Sequence, residues 1–242
     1  MSIADKLTTI AENEQKVFDA GKKAEYDAFW DIYQQNGNRT NYNSAFACGY
    51  GGTAWAKCWD DSNFKPKYDI RLASDTFNRC SVTNLKQRLI DCGVKITTVT
   101  SLYFCFYTSS ITHIPDISMT AVTNMQNAFN NCAKLISIDG INVAESCVFN
   151  SAFNSCTELK HVIFYGTIGN NLTLQYSTKL DKESITSIVS ILSTSVSGKT
   201  LTLSKSAVNN AFETAEGLAD GTTSTEWATL IADKSNWTIS LV

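Results

Sequence analysis

Apolar residues return at a fixed distance through the middle of this chain, separated by Asn, Ser, Thr and scattered charges. Between Ile111 and Phe164, the phrase Asn127-Ala128-Phe129-Asn130-Asn131-Cys132 comes back 24 residues later as Ser151-Ala152-Phe153-Asn154-Ser155-Cys156. The same step carries Leu135 to Leu159 and Ile138 to Val162, and in reverse Leu135 to Ile111 and Ile138 to Ile114. A period in the range of about 20–50 residues that keeps apolar positions in columns predicts a solenoid. One repeat cannot bury its own apolar face, but stacked repeats bury a continuous core. Phe129 and Phe153 then fill one column, Cys132 and Cys156 a second, Leu135 and Leu159 a third, and Ile138 and Val162 a fourth. Strand residues alternate sides, so the neighbours of these columns face solvent.

On either side the pattern changes. Ile3, Leu7, Ile10, Val17 and Phe18 form an apolar stripe behind a Ser2 cap, followed by Tyr26, Phe29, Trp30 and Tyr33 before Asn36-Gly37-Asn38. This predicts a helical N-terminal cap over residues 1–43 that covers the open end of the stack. The spacing of Ile3, Leu7 and Ile10 also suits a self-association helix, although Glu14 interrupts the next seam position. Residues 38–70 are rich in Tyr, Trp and Gly and serve either as a recognition surface or as filling for an irregular first repeat. Thr83 to Cys92 reads as a short helix ended by Gly93. Phe77 and Phe106 lie 29 residues apart, so the repeat between them carries an insertion, and Phe106 to Ile111 runs one residue short of its counterparts.

The last third alternates strand and helix. Asn171 to Leu174 reads as a strand. Asp181 caps a helix whose Ile185, Ile188, Val189 and Leu192 share one face. Leu201 to Leu203 is a strand, Lys205 to Phe212 a helix, and Ser224 caps a helix carrying Trp227, Leu230 and Ile231. Trp237 to Leu241 closes as an edge strand. The organisation expected is an N-terminal cap (1–43), a repeat array (44–175) and an α/β C-terminal cap (176–242) within one continuous α+β domain of short parallel strands.

Composition narrows the function classes. The 242 residues carry a net charge of −3 and 18% charged residues, which leaves no basic footprint for nucleic acid. No apolar run reaches the ~20 residues that a membrane span needs, and the N-terminus lacks a secretory h-region, predicting a protein that is cytoplasmic as synthesised. Eight Cys invite a disulfide reading, but Cys80, Cys132 and Cys156 each follow a Phe by three residues and so repeat one core position. A buried, reduced column is the expectation. Cys48, Cys58, Cys92, Cys105 and Cys147 are irregularly spaced and form no zinc pattern. No metal or cofactor motif is recognisable, and the sequons at Asn38, Asn171 and Asn236 are expected by chance in so Asn- and Thr-rich a chain.

At Ala128-Phe129-x-x-Cys132-x-x-Leu135-x-x-Ile138 and Ala152-Phe153-x-x-Cys156-x-x-Leu159-x-x-Val162 the chain resembles the BspA-like leucine-rich repeats. Partial copies surround Phe46, Phe77 and Phe106. The flanks, with LQYSTKL, TLTLSK and NWTIS, are similar to small leucine-rich-repeat proteins encoded in prophage regions of gut bacteria. The resemblance implies a curved leucine-rich-repeat solenoid with one short strand per repeat, used to bind proteins or surfaces. Secreted relatives act in adhesion. A virion-associated protein released by lysis would reconcile such a role with the absence of an export signal.

Candidate chemistry is sparse. The two histidines, His113 and His161, stand two repeats apart with Ser137 midway, beside the buried positions Ile114, Ile138 and Val162. With Asp139 they make a polar column that is a candidate binding surface. His161 with Cys156 is the one nucleophilic pairing to consider, and Cys156 is already assigned to the core. The expectation is a non-enzymatic protein without cofactors that binds a protein or a cell-surface ligand, either as a phage accessory or host-recognition component or as an intracellular bacterial scaffold.

Overall fold

A computed structural model describes residues 99–116, 119–213 and 220–242. The N-terminal cap over 1–43 with its self-association stripe, the aromatic segment and the Thr83–Cys92 helix lie outside the described residues. The rest is an α+β arrangement of short parallel strands and few helices, with no closed barrel among the described residues. In chain order the strands are β1 (His113–Ile114), β2 (Val122–Asn124), β3 (Ser137–Val148), β4 (His161–Gly166), β5 (Leu172–Leu174), β6 (Lys199–Leu203) and β7 (Trp237–Leu241). The helices are α1 (Lys182–Ser190), α2 (Lys205–Ala211) and α3 (Thr225–Ile231). One sheet is centred on β3, which pairs with β1 and β2 along one edge and β4 along the other. The second sheet runs β5-β6-β7, and every strand pair in both sheets is parallel.

The repeat in sequence is a register in space. His113 and Ile114 pair with Ser137 and Ile138, which pair in turn with His161 and Val162. The turns before these strands are also laid edge to edge. Backbone N–H groups of Phe104, Phe106 and Thr108 donate to the carbonyls of Gln126, Ala128 and Asn130, and those of Asn127, Phe129 and Asn131 donate to Asn150, Ala152 and Asn154. Each turn holds two residues in the left-handed region: Phe104 and Thr108, then Asn127 and Asn131, then Ser151 and Ser155, with φ between 53° and 63°. Asn visits that region with little penalty, whereas a β-branched Thr does so under strain.

Inside the turns the side chains stack as the period requires. Phe106, Phe129 and Phe153 lie ring on ring, with centroids 5.1 and 5.6 Å apart and planes within 16°, and none is more than 1% exposed. Cys132 and Cys156 are fully buried free thiols, and they donate to the carbonyls of Phe106 and Phe129 at 2.8 and 3.1 Å. Burial pushes the Cys156 thiol up to about 12 and raises Cys132 further. Cys105 and Cys147 are buried as well, despite their irregular spacing. Cys105 precedes Phe106 as Ala128 precedes Phe129, so it takes the small-residue position of its turn. Its N–H donates to Leu102, as that of Ala128 donates to Met125.

The turn pattern recurs past residue 175. Ser177 N donates to Leu174 and Leu180 N to Ser177, while the buried Ser177 hydroxyl donates to the Cys156 carbonyl. Helix α1 then begins where a further strand would lie beside β4. Asp181 N donates to Lys160 O, the Asp181 carboxylate caps Ser184 N at 2.9 Å, and the Ser184 hydroxyl accepts from Val162 N at 2.8 Å. Ile185, Ile188, Val189 and Leu192 are buried against the stack. Ser204 and Ser224 cap α2 and α3. β7 is the edge strand of its sheet, with Trp237 Nε1 donating to Ser193 O. The amide of Asn236 bonds to the Ser193 and Val196 carbonyls, so that side chain is spent on the fold.

Candidate functional site

The outward face of the β3-centred sheet carries the polar residues singled out from the sequence. Ile114, Ile138 and Val162 point into the core, so His113, Ser137 and His161 stand side by side on the opposite face of three parallel strands. His113 is held from both ring nitrogens: Nδ1 lies 2.5 Å from Ser137 Oγ and Nε2 lies 3.3 Å from Asp139 Oδ2. With Nε2 protonated toward the carboxylate, Nδ1 accepts from the Ser137 hydroxyl. His161 is not part of that group. Its Nδ1 sits 2.9 Å from Asp181 Oδ2 at the start of α1. Burial pushes the Asp181 carboxyl up, but hydrogen bonds from the Ser184 hydroxyl and N–H and from His161 outweigh it and hold the group below the usual carboxylate range.

Ser137, His113 and Asp139 are the residue types of a nucleophile, a base and an orienting carboxylate. Hydrolysis also needs donors aimed at a developing oxyanion. Here the nearby backbone N–H groups of Ile136 and Ser137 both donate to Thr112 O and are committed to the ladder. The imidazole and carboxylate side chains are 49% and 44% exposed, a solvated setting in which such interactions are weak. The other pairing, His161 with Cys156, is not assembled: the imidazole turns to Asp181, and the thiol is buried with its pKa raised.

Sequence reasoning passed over a pocket on the same face. Between Ile138 and Ile141 strand β3 carries one more residue than β4, because Ile138 pairs with Val162 but Ile141 pairs with Phe164. This bulge breaks the alternation: Ile141 takes the inward position, Gly140 is buried beneath the outer face with its Cβ direction toward Tyr165, and Asn142 stands on the outer face opposite Tyr165. Bulges of this kind re-aim side chains and often lie beside sites. Gly140 is required there. A Cβ on it would stand 2.7 Å from Tyr165 Cε2 and 3.1 Å from Asp116 Cγ. The Tyr165 ring and the Asp116 carboxyl therefore close over a backbone that only glycine leaves low enough. Asp116, Met119, Asn142 and Tyr165 line a pocket of about 370 Å³, and Tyr165 is 47% exposed. A glycine inside a strand pattern is the one sequence signal that could have pointed here.

In class this is an α+β protein of short parallel strands whose polar outer face carries an imidazole–hydroxyl–carboxylate group beside an aromatic pocket. No protein-family model, curated protein or solved structure matches the chain. Among the described residues no helix is long and apolar enough to cross a membrane.

Proposed function

We propose that the chain is a leucine-rich-repeat solenoid of the BspA-like type and that its outer strand face binds a protein or a cell-surface ligand without catalysis. The observation that carries this reading is the strand register. Positions 24 residues apart lie directly beside one another, so residues that no single loop could gather form one continuous polar face. The buried columns are occupied by packing, and the outer row of His113, Ser137, Asp139 and His161 is the part left to recognise a partner. By resemblance, the partner surface is that of a gut bacterium and the chain is a phage accessory or host-recognition component.

The test is capture by the purified full chain from intact and from lysed gut bacterial cells, read by mass spectrometry. Retention of one cell-envelope component, lost when His113, Ser137, Asp139 and His161 are all replaced by Ala, is the expected result. Full retention by that variant overturns the assignment of the face. Capture of cytosolic proteins alone overturns host recognition in favour of an intracellular scaffold.

A further inference from the structure

We propose that the pocket formed by Asp116, Met119, Asn142 and Tyr165 is a sugar-binding site for a single pyranose unit, an inference that rests on reading the outer strand face as a binding surface. A pyranose presents an apolar face of C–H groups and an edge of hydroxyls that both donate and accept. Tyr165 offers a half-exposed aromatic face for the first. Asn142 and the Tyr165 hydroxyl supply an amide and a phenol for the second, a set with both donors and acceptors beside the Asp116 carboxylate. The volume of about 370 Å³ is ample for one ring.

Other ligand classes fit worse. An anion would meet the Asp116 carboxylate, and no cation stands among the described lining residues. A metal ion would find one carboxylate among the described lining residues, because Asp139 is engaged by His113 and does not line the pocket. An apolar chain would strand the amide and the carboxylate. The pocket is also built rather than incidental. The extra residue in β3 sets Asn142 opposite Tyr165, and Gly140 makes the room that the tyrosine ring and Asp116 occupy.

The experiment is saturation-transfer NMR on the full chain with glucose, galactose, mannose, N-acetylglucosamine and rhamnose, each offered alone at about 10 mM, a level suited to millimolar affinities. The expected result is transfer into the ring C–H protons of at least one sugar. Tyr165→Ala should weaken that binding at least tenfold, Tyr165→Phe should keep most of it, and Gly140→Ala should weaken it by displacing the ring. Tyr165 is exposed enough that its truncation leaves the fold intact, which an unchanged melting temperature verifies. Absence of transfer from all five sugars, or equal transfer to the Tyr165→Ala protein, overturns the proposal. The two readings fail separately. Cell capture that survives Tyr165→Ala, with no sugar bound, removes the pocket and keeps the surface. Sugar binding without capture of any cell component keeps the pocket and removes the surface.

Discussion

Thr108 is the residue whose replacement should make this protein more stable. It holds a left-handed backbone at φ 53°, a conformation that costs an L-residue roughly 1–2 kcal/mol and sits worst on a β-branched side chain. Its hydroxyl is also buried without a hydrogen-bond partner among the described residues, a penalty of about 1–3 kcal/mol. Thr108→Gly removes both. Against this stand a glycine entropy cost of about 0.5–1 kcal/mol and a lost methyl contact of about 0.8 kcal/mol. Taking the lower half of the gains, the net is a stabilisation of up to about 2 kcal/mol, or up to roughly 8 °C in melting temperature for a unit of this size. The backbone bond from Thr108 N to Asn130 O survives the change. The control is Asn130→Gly, which lies outside the left-handed positions and loses its 2.8 Å bond to Asn127 Oδ1. It should destabilise by about 1 kcal/mol. Thermal melts and urea titrations of the three proteins decide the matter. An unchanged or lowered midpoint for Thr108→Gly, or equal shifts for both variants, would refute the strain argument.

Three further outcomes follow from the same coordinates. Phe129, fully buried between two stacked rings, should cost about 3–5 kcal/mol when cut to Ala, read as a lower urea midpoint; a loss under 1 kcal/mol would mean that the ring column does not carry the packing. Asp181 has a folded pKa below the ordinary carboxylate value, so its stabilisation is present above that value and disappears as pH falls through the folded one; Asp181→Asn should flatten the acid limb of a stability–pH curve, and parallel curves would contradict the assignment. A fluorophosphonate probe should leave Ser137 unlabelled, since the N–H groups of Ile136 and Ser137 are committed to Thr112 O, and modification of Ser137 on a peptide map would reopen catalysis.

How much of this was legible in the sequence depends on whether a feature obeys the period. The step of 24 residues predicts that His113, Ser137 and His161 are neighbours, and the strands pair that way. Helix α1 follows from Asp181 and the i, i+3, i+4, i+7 spacing of its apolar residues, because cap and stripe are local signals. The first described turn was harder to place. Phe106 stacks on Phe129 at a step of 23 residues, and the missing residue falls between Ser109 and Ile111, where the Ser109 hydroxyl accepts from Ile111 N. That local bond closes the shorter turn, whose length the spacing shows but whose closure it does not. Cys105 escaped for a related reason: it takes the position of Ala128, not of Cys132, so a search for aligned cysteines discards it. The left-handed positions are plain at Asn127 and Asn131, whose side chains suit that backbone. At Phe104 and Thr108 the stacked neighbours impose the conformation against local preference.

The pocket was illegible because it depends on breaking the rule that made the rest readable. By sequence spacing Gly140 corresponds to Phe164, and a strict ladder would pair the two. The bulge instead pairs Ile141 with Phe164, which keeps a large apolar side chain in the core and frees Gly140 from filling it. The displaced register then aims Asn142 outward, and the vacated volume above Gly140 is taken up by Tyr165 and Asp116. A bulge that served the core alone would not need Tyr165 to stand 47% exposed over a glycine. A regular stack can repeat a surface but cannot shape a cavity on it. The residue added between Ile138 and Ile141 of β3 makes this face differ from one turn to the next, and specificity for a ligand has to begin at such a difference.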